Sequence, residues 1–341
     1  VKIGVLTGGG DCPGLNAVIR AVVKKAERGG DIVLGIKNGW AGLVRGDAVP
    51  LTDYAVAGIL PKGGTILGTS RTNPLKDEES TQRALDNFKR FGLDAVIAVG
   101  GEDTLGAAKG LHERGMPVVG VPKTIDNDIG ATEVTFGFDT AVNIVVEAID
   151  RLHSTAESHH RVMVVEVMGR HSGWIAVTAG LAGGADYILV PERPFRIEDV
   201  CDSLRRRHAK GKGFSIVVVA EGAYPEGGAP VRQSESVDEF GHPRLGGVGV
   251  LVAKEIEQRT GIETRVTILG HIQRGGSPTA RDRILATRFG LKAVDLVREG
   301  RFGRMVAYQA GQITSVPFEE ALGRPRLVGK DLLDDAAIFF Y

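Results

Sequence analysis

One cadence repeats from Lys2 to Val121: a short β-branched run, a glycine-rich turn, then a stretch with helical spacing. A parallel sheet flanked by helices reads this way. Lys2 to Leu6 is the first predicted strand and Thr7-Gly8-Gly9-Gly10-Asp11-Cys12-Pro13-Gly14 its turn. Leu15 to Glu27 is a predicted helix with Val18, Val22 and Ala26 recurring every four residues, stopped by Gly29-Gly30. The same spacing predicts a helix over Ser80 to Phe91, a strand over Asp94 to Val99, a helix over Thr104 to Arg114 and a strand over Val118 to Val121. Gly100-Gly101-Glu102-Asp103-Thr104 and Pro122-Lys123-Thr124-Ile125-Asp126-Asn127-Asp128 fall at the carboxyl ends of strands, where open α/β sheets place ligands.

A long helix over Thr140 to Leu152 leads into a second α/β series, with strands near Val162 to Val167, Ala185 to Val190, Ser215 to Ala220 and Arg265 to Leu269. At 341 residues the chain is long enough for about two domains, so a cleft between two lobes is expected. The segment Tyr224 to His242 is polar and rich in Gly and Pro, and reads as an exposed, weakly ordered loop.

Composition narrows the function classes. Lys+Arg and Asp+Glu balance at 42 each, so no net field favours nucleic acid or an anionic membrane. Glycine is the outlier: 48 of 341 residues is twice the usual share of about 7%. The two cysteines, Cys12 and Cys201, leave no room for a disulfide framework or a four-cysteine zinc site and point to a reducing compartment. With no leader-like start and no long apolar span, a cytoplasmic protein is expected.

The glycine-rich turns at Thr7 to Gly14, Lys62 to Gly68 and Gly100 to Thr104 leave backbone N–H groups free at helix starts, as phosphate sites do. Neither a Walker motif nor a dinucleotide fingerprint accompanies them. Thr124 to Asp128 sets two carboxylates two residues apart beside a hydroxyl, one to take a proton and one for metal or charge balance; an Asx-rich turn is the bland alternative. Lys123 and Arg71 add cations to that face. Arg161, Arg170, Arg265, His271 and Arg274 are read as a second cationic cluster at strand ends, suited to an anion facing the first site. The His159-His160 pair has no partner at ligand spacing and reads poorly as a metal site.

Five blocks resemble the 6-phosphofructokinase family in order and spacing: Gly9 to Asn16, Gly100 to Thr104, Pro122 to Asp128, Met168-Gly169-Arg170, and Gly270 to Gly276. The resemblance covers nearly the whole chain and implies two Rossmann-like three-layer α/β/α lobes. Residues 1–137 and 273–325 would form a larger donor lobe, and 138–272 and 326–341 a smaller fructose 6-phosphate lobe. It implies Asp126 as the base at the sugar 1-hydroxyl, with Thr124 nearby, Asp128 aiding charge balance and metal, and Arg170 on the phosphoryl group in flight. Met168, Gly169 and Glu221 would hold the sugar. His271 and Arg274 would grip its 6-phosphate, joined by Arg161 and Arg265 from a neighbouring subunit, hence a homodimer or homotetramer. Gly10, Arg71, Glu102, Asp103, Thr104 and Lys123 would handle the donor and its Mg²⁺, with Glu102 and Asp128 as metal ligands.

Within that family, ATP users of the bacterial type have glycine at the positions of Asp103 and Lys123, and pyrophosphate users resemble this sequence at both. A carboxylate at Asp103 would block and repel the α-phosphate of ATP, while Lys123 would pair with the end of a shorter donor. A pyrophosphate-dependent phosphotransferase is therefore expected; the alternative is an ATP-dependent enzyme in which Asp103 caps its helix and turns away. Arg20, Lys24, Lys210 and Lys212 match the family's effector cations, but Asp53 and His153 stand where arginines would be. Strong control by ADP or phosphoenolpyruvate is thus not expected. Of other classes, a non-catalytic sugar-phosphate sensor is disfavoured by intact Thr124, Asp126 and Arg170, and a kinase of the NAD or diacylglycerol type would lack the later blocks.

Overall fold

The computed structural model describes residues 1–237 and 240–341. Strand β1 (Lys2–Thr7) is apolar from Ile3 to Leu6 and buried from Ile3 onward, and α1 (Leu15–Arg28) follows its glycine turn. Gly14 starts that helix at φ 111°, a left-handed conformation that suits glycine, with the Phe136 ring 2.6 Å from where a Cβ would sit. Val18, Val22 and Ala26 are all buried, as their spacing requires. Next come β2 (Ile32–Ile36), α2 (Trp40–Arg45), β3 (Ala48–Leu51), α3 (Glu78–Arg90), β4 (Ala95–Gly100), α4 (Glu102–Glu113), β5 (Val118–Thr124) and β6 (Phe136–Gly137). Asp77 caps α3 by accepting from the Ser80 amide at 2.7 Å.

Helix α5 (Phe138–His159) leads to β7 (Val162–Val167), α6 (Trp174–Ala182), β8 (Tyr187–Leu189), α7 (Ile197–Ala209) and β9 (Ser215–Ala220). The chain continues through β10 (Arg232–Val237), β11 (Pro243–Leu245), α8 (Val248–Thr260), β12 (Thr264–Ile268), a single 3₁₀ turn at Gly270–Arg274 and α9 (Ala280–Arg298). It closes with β13 (Arg304–Gln309), β14 (Gln312–Pro317), α10 (Phe318–Ala321) and α11 (Lys330–Ala337). Helix α5 runs seven residues past its expected end, to a left-handed stop at His160 (φ 52°).

Two sheets result. The first has eight strands in the order β14-β13-β5-β4-β1-β2-β3, with β6 paired to β5; the second has four, β12-β7-β9-β8, all parallel. The first sheet is mixed, because β3 lies antiparallel to β2 and β14 antiparallel to β13. The β13–β14 turn, Ala310-Gly311, has φ of 47° and 79°, the double positive pair that closes a tight hairpin. The chain crosses between the sheets more than once: β13 returns to pair with β5, while α11 packs on α6 and β8.

The crossing at α9 is pinned by a buried carboxylate. Asp282 accepts from the backbone N–H (2.8 Å) and hydroxyl (2.6 Å) of Thr140, and burial pushes its pKa up to about 6.

The segment expected as an irregular loop is instead partly paired: β10 and β11 form an antiparallel hairpin joining Arg232 to Leu245 and Val237 to Pro243. The part of that expectation falling on 238–239 lies outside the described residues. Cys12 and Cys201 are both buried and unbridged. Among the described residues, no helix is long and apolar enough to cross a membrane.

Candidate active site

The carboxyl ends of β1, β4 and β5 in one sheet and of β7, β9 and β12 in the other face a cavity of about 560 Å³. On the first side, the Gly8 amide donates to the Val99 carbonyl (2.9 Å) and the Gly9 amide to the Ser70 carbonyl (3.0 Å), tying glycine turns together. Gly10 leaves room for the Arg274 guanidinium, which would have to move aside for a Cβ there. The Lys123 ammonium donates to the Gly10 carbonyl, and burial holds its pKa below the ordinary lysine value. Arg71 and buried Thr104 also line this side.

Glu102 and Asp103 occupy the first turn of α4, where acidic groups suit the helix dipole. Its N-cap is Gly101, with no side-chain capping bond, and Asp103 lines the cavity. Its Oδ2 lies 4.0 Å from Arg170 Nη1. The alternative in which Asp103 turns away as a cap is therefore not the geometry adopted.

At the end of β5 the Asp126 amide donates to Thr124 Oγ1 (3.0 Å), and the Ser172 hydroxyl donates to the Asp126 carbonyl (3.0 Å). Asn127 is left-handed at φ 55°, held by its Oδ1 accepting from the Thr135 amide at 3.0 Å. The turn presents Asp126, which is buried and whose Oδ1 has no hydrogen-bond partner among the described residues. Buried polar oxygens are nearly always satisfied, so this one is reserved for something that enters. Burial and then the neighbouring Asp126 push Asp128 up to about 7; the same two causes, in the same order, push Glu221 up to about 7.

On the opposite wall Gly169 sits at φ 145° with no room for a Cβ against the Ser172 carbonyl, so it shapes the turn and does not itself line the cavity. Arg170 is left-handed at φ 55°, its amide donating to Glu221 Oε1 at 3.0 Å. Met168, His271 and Arg274 line the cavity too, and the Met168 amide donates to Gln273 Oε1 at 3.2 Å.

Two predicted residues are elsewhere. Arg161 precedes β7 and Arg265 is the second residue of β12, so both lie at the amino ends of strands, away from this chain's cavity. Arg161 pairs with Glu263 at 2.8 Å, and Arg265 pairs with Glu263 and, at 3.5 Å, with Glu257. Reading the five cations as one cluster fails because a residue's place within a strand decides which sheet edge it reaches. The effector positions are also outside the cavity: Lys24 is paired with Asp53, and His153 Nε2 is 2.9 Å from the Gly183 carbonyl.

Three site groups escape the sequence reading. Glu166 lines the cavity from within β7, masked by an apolar run. Gln273 is fully buried. His242, in a segment expected to be a solvent loop, lies with Nε2 2.9 Å from Asp103 Oδ1. A lone histidine in a polar stretch carries no local signal for this.

A divalent cation fits the carboxylates here. Glu102 and half-buried Asp128 supply hard oxygen donors to the cavity that Asp126, with its unpartnered oxygen, also lines. Among the described residues no set of three or more His, Cys, Asp or Glu converges on one point. A divalent cation held by one or two carboxylates completes its shell with water and phosphate oxygens.

Two α/β sheets with glycine turns, buried carboxylates and cations meeting at their strand ends define a phosphoryl-transfer class of site. The chain belongs to the phosphofructokinase family, whose sequence pattern matches residues 2–297. It is 59% identical over 343 residues to a pyrophosphate–fructose 6-phosphate 1-phosphotransferase of Streptomyces coelicolor, covering 100% of both chains. It is also 53% identical over 341 residues to an ATP-dependent 6-phosphofructokinase 2 of the same organism, again covering 100% of both. The phosphofructokinase of Saccharomyces cerevisiae superposes with a TM-score of 0.82 at 34% identity over 94% of this chain, which spans 45% of that longer one.

Proposed function

We propose that this chain transfers a phosphoryl group from pyrophosphate to the 1-hydroxyl of fructose 6-phosphate, giving fructose 1,6-bisphosphate and phosphate, reversibly. The observation that carries the donor is Asp103, a carboxylate aimed into the cavity where a nucleotide's α-phosphate would have to pass. Likeness to relatives named for pyrophosphate, at 52% to 59% identity, supports it.

Asp126 Oδ1, unpartnered and buried, takes the proton from the 1-hydroxyl. The freed oxygen attacks the near phosphorus of pyrophosphate, and the bridging P–O bond breaks to release phosphate. Arg170 spreads its charge over the group in transfer and Lys123 pairs with the donor. Thr124 fixes the Asp126 backbone. Mg²⁺, held by Asp128 and Glu102 with donor oxygens, would neutralise the pyrophosphate charge.

Met168 and Glu221 hold the sugar, Gly169 shapes the turn that presents Met168 and Arg170 to it, and His271 and Arg274 bind its 6-phosphate by charge-assisted hydrogen bonds. Arg161 and Arg265, on the far sheet edge, serve the cleft of a neighbouring copy, which makes the enzyme a homodimer or homotetramer. Residues 1–137 and 273–325 form the donor lobe and 138–272 and 326–341 the sugar lobe, in keeping with the sheet each segment joins. The enzyme works in the cytoplasm. The Asp53 carboxylate beside Lys24 weakens any anionic effector there, so neither strong activation by ADP nor strong inhibition by phosphoenolpyruvate is expected.

The second reading is ATP as donor, favoured by the 53% identical relative named for it. Initial rates with fructose 6-phosphate and Mg²⁺, comparing pyrophosphate with ATP as sole donor, decide between them. Pyrophosphate-only turnover is expected; ATP-only turnover overturns the donor assignment.

A further inference from the structure

The β10–β11 hairpin is rooted on the sugar side of the cleft. Glu166 of β7 accepts from the amide of Gly247 at 2.9 Å and from that of Gly249 at 2.7 Å, fixing the chain where β11 passes into α8. The other end is held by the bridge between Phe195 and Pro225. From that base the hairpin sends Val237, Phe240 and His242 into the cavity lining, and His242 reaches α4, on the opposite wall. It therefore spans the cleft, and the contact at its far end is the 2.9 Å approach of His242 Nε2 to Asp103 Oδ1.

A carboxylate only accepts hydrogen bonds, so Nε2 carries the proton in this contact. Asp103 is thus addressed at both oxygens by groups from the other wall, His242 at Oδ1 and Arg170 at 4.0 Å from Oδ2. Its neighbour Glu102 is held separately, accepting from the Gly323 amide at 3.2 Å. An anionic donor must pass this carboxylate, and an uncompensated one would repel a pyrophosphate as well as a nucleotide.

We propose that His242 is a positioning residue for donor selection: across the cleft it holds the Asp103 carboxylate in the place that refuses a longer donor, and its N–H offsets the charge a pyrophosphate meets. The proposal rests on the pyrophosphate reading above. The hairpin carries this group over the site from the opposite wall.

The test is steady-state kinetics of wild type, His242→Ala, His242→Gln, Asp103→Gly and the Asp103→Gly/His242→Ala double variant, with pyrophosphate and ATP, at saturating and varied fructose 6-phosphate. For His242→Ala the pyrophosphate KM rises about tenfold while the sugar KM stays within about twofold, as expected when one charge-assisted contact to the donor side is lost. Gln, which places an amide N–H near Nε2, restores most of the loss. In the Asp103→Gly background His242→Ala adds nothing further, because the partner it acts through is gone. An unchanged pyrophosphate KM in His242→Ala, equal rises for both substrates, or full additivity in the double variant overturns the proposal while wild-type pyrophosphate turnover keeps the donor reading. Wild-type turnover with ATP alone overturns both.

Discussion

The two walls of the cavity solve opposite electrostatic problems. The wall at the ends of β1, β4 and β5, proposed for the donor, holds Glu102, Asp103, Asp126 and Asp128 against Lys123 and Arg71; the wall at the ends of β7, β9 and β12, proposed for the sugar, presents Arg170, His271 and Arg274 with the carboxylates Glu166 and Glu221. An anion met by fixed cations needs nothing more, whereas one met by carboxylates needs a mobile cation to bridge it. On the proposed mechanism the difference accounts for the glycine turns on the first wall and the arginines on the second: backbone N–H groups and a metal would replace side-chain cations where carboxylates serve proton transfer. It also explains why Arg274 reaches over to the donor wall, donating to the Asp11 carbonyl at 3.4 Å against Gly10.

The sharpest way to break this contrast is at Asp126. Asp126→Ala lowers kcat by about 10³-fold or more, with fructose 6-phosphate affinity measured by calorimetry nearly unchanged; lost sugar binding would move the residue to the other wall's task. Next in size, Asp103→Gly lowers pyrophosphate kcat/KM by about 10²-fold and brings in measurable ATP turnover, read from coupled initial rates. A variant as blind to ATP as wild type would show the selecting charge to be elsewhere.

On the sugar side, Arg265→Ala raises the fructose 6-phosphate KM about tenfold in the assembled enzyme and leaves the pyrophosphate KM alone. A rise in both constants would mean that the change acts through the fold.

The smallest effect sharpens the comparison through pH. Glu221 is raised to about 7 from 4.5, mainly by burial, so the folded state binds more protons than the unfolded state between those values. Its stabilising share is complete below about 4.5 and is lost as pH rises through about 7. Glu221→Gln, which keeps the acceptor for the Arg170 amide, therefore raises Tm by a few degrees at pH 8, on the order of 1–2 kcal/mol. The gain disappears near pH 4, and a pH-independent Tm difference would contradict it.

The blocks at strand ends make most of the cavity legible in the sequence, because a strand, its turn and the following helix are contiguous and carry their own geometry. What depends on contacts distant in the chain is not legible. Helix α8 opens with Val248-Gly249-Val250-Leu251-Val252, a β-branched run that resembles a strand; it is helical because Glu166, some eighty residues earlier, takes the amides of Gly247 and Gly249. Arg161 and Arg265 read as cleft residues by type, yet their strand register sends them to the opposite edge. His242 becomes a site residue only because the hairpin lies across the cleft. The antiparallel edges of the first sheet likewise depend on turns, not on the strand pattern.

Arg170 stands at φ 55°, a conformation that costs a side-chain-bearing residue roughly 1 kcal/mol and costs glycine nothing. The most stabilising single exchange at that position is therefore the one that deletes the guanidinium. Selection for heat resistance alone would drift toward glycine there and, on the role proposed for Arg170, yield a sturdier, inert protein, so any thermostability screen of this chain must score turnover in the same round.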